Sequence, residues 1–291
     1  MTENQPIRDP DPILPTSFTI NATDGYPLAA TLYESETPSS RFVLINSATA
    51  TPRQFYNSFA TYLVSHGFSV LIYDYRGIGG SRPKNLKKMK AKMRDWVLKD
   101  MTAMLGWIRK EKDPEKLFLI GHSYGGQAAG LLENSSDIDG MITLSAQSGY
   151  WRLQGGNQKA AVFAHTWFTM PLLTSLVGYM PWSWVGGEDL PKGVINEWAG
   201  WCRNRHYILG DKSLPLERYN NFTAPVLAYS IDDDNWGTAR SVAAMMRAYP
   251  DLESRHIVPK DKGLKSLGHF GYFRSHAAVL WDEAVEWMAA R

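Results

Sequence analysis

Gly121-His122-Ser123-Tyr124-Gly125, followed by Gly126, places a serine among glycines where the apolar run LFLI gives way to a Gly- and Ala-rich stretch. The spacing is G-x-S-x-G at a predicted strand-to-helix junction, the setting in which a serine is held exposed on a strained turn. Only small neighbours let such a turn approach the adjoining elements, which accounts for Gly121, Gly125 and Gly126. The helix that follows directs its N-terminal dipole at negative charge developing on the serine. A serine hydroxyl alone is a weak nucleophile and needs a base that is itself oriented by an acid.

With this junction the chain order is serine, acid, histidine, so the acid is sought past a later strand and the histidine past the last one. APVLAYSIDDDNWG closes a predicted strand in Asp232, Asp233 and Asp234, and IVPKDKGLKSLGHFGYF follows the final strand with His269 between glycines. Of seven histidines, His66 precedes Gly67 at a helix end, His122 sits in the turn itself, and His165 and His206 fall in a tryptophan-rich stretch. His256 lies in a strand and His276 opens the last helix, which leaves His269 as the base. The three aspartates include solvated turn residues, and no histidine stands at metal-ligand spacing from them.

The elements that must position these groups read as strands and helices in alternation. SFTINAT and LAATLYES flank an Asp24-Gly25 hairpin turn. RFVLINSA and FSVLIYDY bracket a helix-length stretch from Pro52 to His66, a pattern that implies parallel strands buried on both faces. A helix over 96–110, the strand KLFLIG, a short helix over 125–133 and the strand GMITLSA continue the rhythm. It breaks between 149 and 214, where no clean strand appears and six of the eleven tryptophans fall. It resumes with APVLAYSI, a helix over 238–248, SRHIVP and a last helix over 275–290. The expected architecture is α/β: a mostly parallel, doubly wound sheet with an antiparallel N-terminal hairpin and a helical lid inserted after the sixth strand. Residues 1–148 and 215–291 would form the core and 149–214 the lid.

A chain of 291 residues with net charge +2 has the bulk of a globular protein and gives no reason to expect nucleic acid as partner. One cysteine, Cys202, excludes an internal disulfide, and the polar, proline-rich start has no signal-peptide layout, so a cytoplasmic location is expected. Residues 160–187 contain no Asp, Glu, Lys or Arg, yet Pro171, Gly178, Pro181 and His165 interrupt them. We read them as a buried or lid-forming helical segment, with membrane contact not expected and most of the tryptophans packing the lid onto the sheet. KNLKKMKAKMR at 84–94 has the charge to attract acidic substrates such as acyl-CoA thioesters or a membrane surface, but reads first as a solvated loop and helix face.

These residues together resemble the α/β-hydrolase superfamily, near its serine aminopeptidase-like branch, over nearly the whole chain. The resemblance rests on GHSYGG, on DYRGIGGS at Asp74 to Ser81, on the strand-plus-aspartate near 225–234 and on Gly268-His269. Such relatives carry G-x-x-D after the strand; with Ile231 where that glycine stands, the resemblance selects Asp234. It implies an oxyanion hole made by the Tyr124 N–H and by a second amide on the loop after the third strand. There Asn46-Ser47-Ala48-Thr49-Ala50 replaces the usual His-Gly and puts the donor at Ala48, with Asn46 or Ser47 as added side-chain donors. DYRGIGGS lacks the last glycine of a dinucleotide loop and the lysine of a P-loop, and takes a structural role.

The activity implied is hydrolysis of a small carboxylic ester or thioester with an apolar acyl or alkyl part, through an acyl-serine, with no cofactor or metal. An aminopeptidase-like amide hydrolase would need Glu188, Asp189 or Glu197 to hold an ammonium. An acyltransferase would use the same three residues, and a catalytically silent binding protein would lack one of them. The oligomeric state is open at this stage.

Overall fold

The computed structural model describes residues 15–34 and 39–291. Its strands are β1 (Thr16–Asn21), β2 (Pro27–Tyr33), β3 (Arg41–Asn46), β4 (Ser69–Tyr73), β5 (Lys116–His122), β6 (Gly140–Leu144), β7 (Tyr179–Met180), β8 (Leu190–Pro191), β9 (Val226–Ile231) and β10 (Leu252–Ile257). Eight of them form one sheet in the order β1-β2-β4-β3-β5-β6-β9-β10. The β1–β2 and β2–β4 pairs are antiparallel and the rest parallel.

The central strands are buried on both faces, so alternate residues feed two separate cores. Phe42, Leu44, Leu117 and Leu119 belong to a core shared with buried residues of helices Thr102–Glu111, Lys192–Arg203 and Ala239–Met246. Val43, Ile45, Phe118 and Ile120 face helices Asn57–Ser65 and Trp281–Ala289 through Phe59, Trp281 and Trp287.

The strand order places β3 between β4 and β5, so connections leave β3 and β5 at a point where the winding reverses. Ligand crevices open at such a point, beyond the carboxyl ends of the strands. Asn46 pairs with Gly121, His122 with Leu144, and Leu144 with Tyr229. The segments that follow β3, β5, β6 and β9 therefore emerge side by side.

Several elements differ from their sequence-based expectation. The helix expected over 125–133 is only Tyr124–Gln127 and a 3-10 turn at Ala129–Leu131. Glycine-rich sequence has weak helix propensity, and the Tyr219 ring lies against Gly130, where a Cβ would come within 2.1 Å of it. The last strand is Leu252–Ile257 rather than SRHIVP, because pairing begins at Leu252 against Val226 and Pro259 opens a 3-10 turn. Residues 149–214 include an antiparallel pair, β7 with β8, where no strand was expected. They also hold a continuous helix over Gln158–Val177.

DYRGIGGS forms an ion-pair hub. The buried Asp74 accepts from the Arg53 backbone N–H at 2.6 Å, from the Arg53 guanidinium, and from the Gly80 N–H at 2.8 Å. This ties the end of the loop after β3 to the loop after β4.

Candidate active site

Ser123 directly follows β5 with φ 50° and ψ −116°, backbone that an L-residue enters only under strain. Its N–H is held by the Leu144 carbonyl at 2.9 Å, and its own carbonyl accepts from Gly126 and Gln127 at 3.0 Å. The turn closes against its neighbours with no room for a side chain: a Cβ on Gly121 would lie 2.4 Å from Gly126 Cα, and one on Gly125 2.2 Å from the Asn46 carbonyl oxygen. Tyr124, the first residue of the helix, has no intrahelical acceptor for its N–H, which stands beside the serine.

His269 Nδ1 is 2.7 Å from Asp234 Oδ2. The other carboxylate oxygen, Oδ1, accepts from the Trp236 and Gly237 N–H groups, both at 2.8 Å. Burial works against ionisation of Asp234. The charge and hydrogen bond of His269, with the Gly237 N–H, outweigh it and bring the carboxyl down to about 2.

The neighbouring aspartates do different work. Asp233 accepts from the Leu267 and Gly268 N–H groups at 2.9 and 2.8 Å, fixing the loop that carries His269. Asp232 is exposed and lies 3.5 Å from His256.

Ser123 Oγ donates to Gln147 Oε1 at 3.3 Å rather than to His269. Gln147 stands three residues past β6, and its Oε1 also accepts from Gln127 Nε2 at 3.2 Å. The Tyr207 hydroxyl orients Gln127 in turn, at 2.9 Å from Oε1.

On the opposite wall, the Ala48 N–H donates to Tyr56 Oη at 2.9 Å. The phenol is therefore free to donate to His122 Nδ1, 2.8 Å away, and His122 Nε2 to donate to the His269 carbonyl at 2.8 Å. This buried chain links the loop after β3 to the loop of the histidine. Asn46 and Ser47 are buried behind it, the Asn46 Oδ1 accepting from Tyr73 Oη at 2.9 Å, and neither lines the cavity.

Burial, reinforced by the nearby His269, drives His122 down from 6.5 to about 3, so it stays neutral. The unfolded chain then binds a proton that the folded chain refuses between those pH values. Stability from this residue is complete above about pH 6.5 and drains away as pH falls towards 3. Thermal melts should show His122→Gln losing less Tm than wild type between pH 7 and pH 4.5; parallel losses would contradict this account of the imidazole.

Ser123, Gln147 and His269 open onto a cavity of about 700 Å³. Val162, Met170, Trp182 and Trp198 supply apolar wall from residues 149–214, and Trp236 and Phe270 supply it from elsewhere. No aspartate or glutamate lines it among the described residues. Its charged side chain is Arg274, exposed at the mouth with its guanidinium 4.2 Å from the Phe55 ring centre.

The three carboxylates considered for an ammonium are engaged elsewhere. Asp189 pairs with Arg82 at 2.7 Å and Glu197 with Arg94 at 2.5 Å, while Glu188 lies 3.8 Å from Arg82. Among the described residues no cluster of His, Cys, Asp and Glu is grouped to hold a metal.

Residues 38–197, more than half of the chain, match the family described as serine aminopeptidase, S33. The chain belongs to the serine aminopeptidase S33 family. No curated protein matches it.

Among solved structures this S33 family member is similar to a soluble variant of the monoglyceride lipase of Saccharomyces cerevisiae in complex with a substrate analogue. The TM-score is 0.70 at 14% identity, covering 98% of this chain and 97% of that one. An esterase from Pyrococcus furiosus aligns with TM-score 0.61 at 15% identity, over 96% and 91% of the two chains. An esterase from Exiguobacterium antarcticum gives 0.61 at 13% identity, over 94% and 100%. At these identities the likeness establishes the α/β-hydrolase fold.

The sequence reading did not single out Tyr56, Gln127 or Gln147. Gln147 had one usable signal: it follows the strand that neighbours β5, close to where the serine emerges. Tyr56 had none, since it lies 66 residues before the histidine it bonds.

Proposed function

We propose that this S33 family member hydrolyses small carboxylic esters or thioesters through an acyl-serine intermediate. The observation that carries the reading is the convergence of Ser123, on its strained turn, and His269, hydrogen-bonded to Asp234 behind it, on one apolar cavity that no aspartate or glutamate lines among the described residues. Turnover begins when Ser123 Oγ leaves Gln147 and passes its proton to His269 Nε2. Asp234, ionised and pinned by two peptide N–H groups, keeps the Nδ1 proton facing itself and stabilises the imidazolium. The Tyr124 N–H meets the oxyanion of the tetrahedral intermediate.

Ala48 is the second donor once its N–H exchanges Tyr56 for the oxyanion, a charged acceptor that outcompetes a neutral phenol. His269 then protonates the leaving group and activates the water that frees the acid. The esterases and the monoglyceride lipase among the structural neighbours act on esters by their names, which supports the same bond type here.

Amide hydrolysis at a free N-terminus is disfavoured by the cavity itself. An ammonium would enter a wall whose charge is Arg274, with Asp189 and Glu197 held in ion pairs. Burying an ammonium with no carboxylate partner costs several kcal/mol of desolvation, a discrimination of about 100-fold or more. p-Nitrophenyl esters of graded acyl length should therefore exceed aminoacyl p-nitroanilides in kcat/KM by at least about 100-fold. A preference for the aminoacyl substrates would overturn the ester assignment.

A further inference from the structure

The helix over Gln158–Val177 is inside out for a protein surrounded only by water. Its inward positions recur every four residues as Val162, Thr166, Met170 and Thr174, two of them threonines whose hydroxyls bond back to the carbonyls of Val162 and Met170 at 2.8 Å. Its outward positions carry Trp167, Phe168, Leu172 and Leu176, exposed by 48, 65, 59 and 75%. Trp184, beyond the helix, adds an indole exposed by 71%.

Isolated exposed apolar residues are ordinary, but a run of them along one helix marks a surface that is covered in use. The helix is also long and apolar enough to cross a membrane, with Lys159 its only charge. It does not span one here, because Val162 and Met170 on its other face form the cavity wall and Thr174 hydrogen-bonds Asn196 at 3.1 Å.

We propose that this face seats the protein on an anionic lipid surface, the helix lying in the interface plane and forming the partition between lipid and active-site cavity. The charges bordering the face favour lipid over a second copy of the chain. No Asp or Glu occurs between residues 149 and 187. Lys159 lies at the start of the helix, and Arg203 sits 5.2 Å over the Trp167 ring. Lys87 packs beside Gly178, which ends the helix, and brings with it the exposed Lys84, Lys88 and Lys90.

A two-fold contact through this face would set one basic border against another, whereas anionic headgroups complement it. Aromatic side chains with a polar edge, as at Trp167 and Trp184, suit the headgroup boundary. Within the basic stretch at 84–94, Leu86, Ala91 and Met93 are buried and Arg94 pairs with Glu197, while the exposed lysines gain a role as the electrostatic margin of the same surface.

Cosedimentation with vesicles tests this. The full chain should pellet with equimolar phosphatidylglycerol and phosphatidylcholine, and bind pure phosphatidylcholine or the anionic vesicles at high salt less well. The Phe168→Glu/Leu176→Glu variant, altered outside the cavity lining, should bind at least about tenfold more weakly. It should keep wild-type hydrolysis of a water-soluble ester and wild-type labelling of Ser123, so loss of lipid binding and failure of the hydrolase assignment are read separately.

Wild type left in the supernatant with anionic vesicles overturns the proposal, as does a variant that pellets equally well. Light scattering that finds a wild-type dimer, a monomeric variant and no vesicle binding also overturns it, by assigning the face to self-association.

Discussion

Ser123→Ala should turn over p-nitrophenyl butyrate with kcat lower by roughly 10⁵- to 10⁶-fold, the scale at which removing the nucleophile leaves only binding and oxyanion stabilisation. The fold should survive the change. The hydroxyl makes one 3.3 Å hydrogen bond, and alanine meets the same backbone strain at φ 50° that serine does. The expected stability change is within about 1 kcal/mol, so lost activity cannot be ascribed to unfolding.

His269→Ala should cost nearly as much as Ser123→Ala, and the double variant no more than either, because nucleophile and base act as a unit. Additive losses in the double variant would mean that the two residues work in separate steps. Steady-state kinetics beside thermal melts of the three variants decide the point.

The second large effect separates three adjacent aspartates. Asp234→Asn should lower kcat by about 10⁴-fold, since a carboxamide in that place no longer holds the Nδ1 proton and permits the wrong imidazole tautomer. Asp232→Asn should stay within about threefold of wild type, because an exposed carboxylate 3.5 Å from His256 touches neither the base nor the cavity. Asp233→Asn falls between them, as an amide oxygen keeps one of the two acceptor contacts to Leu267 and Gly268. Equal losses at Asp232 and Asp234 would contradict the geometry.

The sheet was readable because its central strands are buried on both faces and so appear as short continuous apolar runs, such as FVLI and LFLI. The serine turn was readable because its backbone strain admits so few residue types around it. The choice among Asp232, Asp233 and Asp234 was not contained in the residues alone. It depends on which carboxylate points back into the turn to meet the Trp236 and Gly237 N–H groups, a matter of backbone geometry over three identical side chains.

The loop after β3 shows another limit. Ala48 was placed by resemblance, while its hydrogen bond to Tyr56, and through Tyr56 to His122, joins positions far apart in sequence. The stretch within 160–187 shows a third. Apolar composition reads by default as burial, and most of the tryptophans are indeed buried or half-buried, yet Trp167 and Trp184 point outward and threonines take inward positions on the helix. Composition reports how apolar a helix is and not which side of it meets the sheet.

Covalent trapping with a fluorophosphonate tests the account at its centre. Intact-mass spectrometry followed by peptide mapping should find one phosphonyl adduct per chain, on Ser123, absent from Ser123→Ala and formed far more slowly in His269→Ala. An adduct on another residue, or none on the folded wild type, would contradict the assignment of Ser123 as the nucleophile.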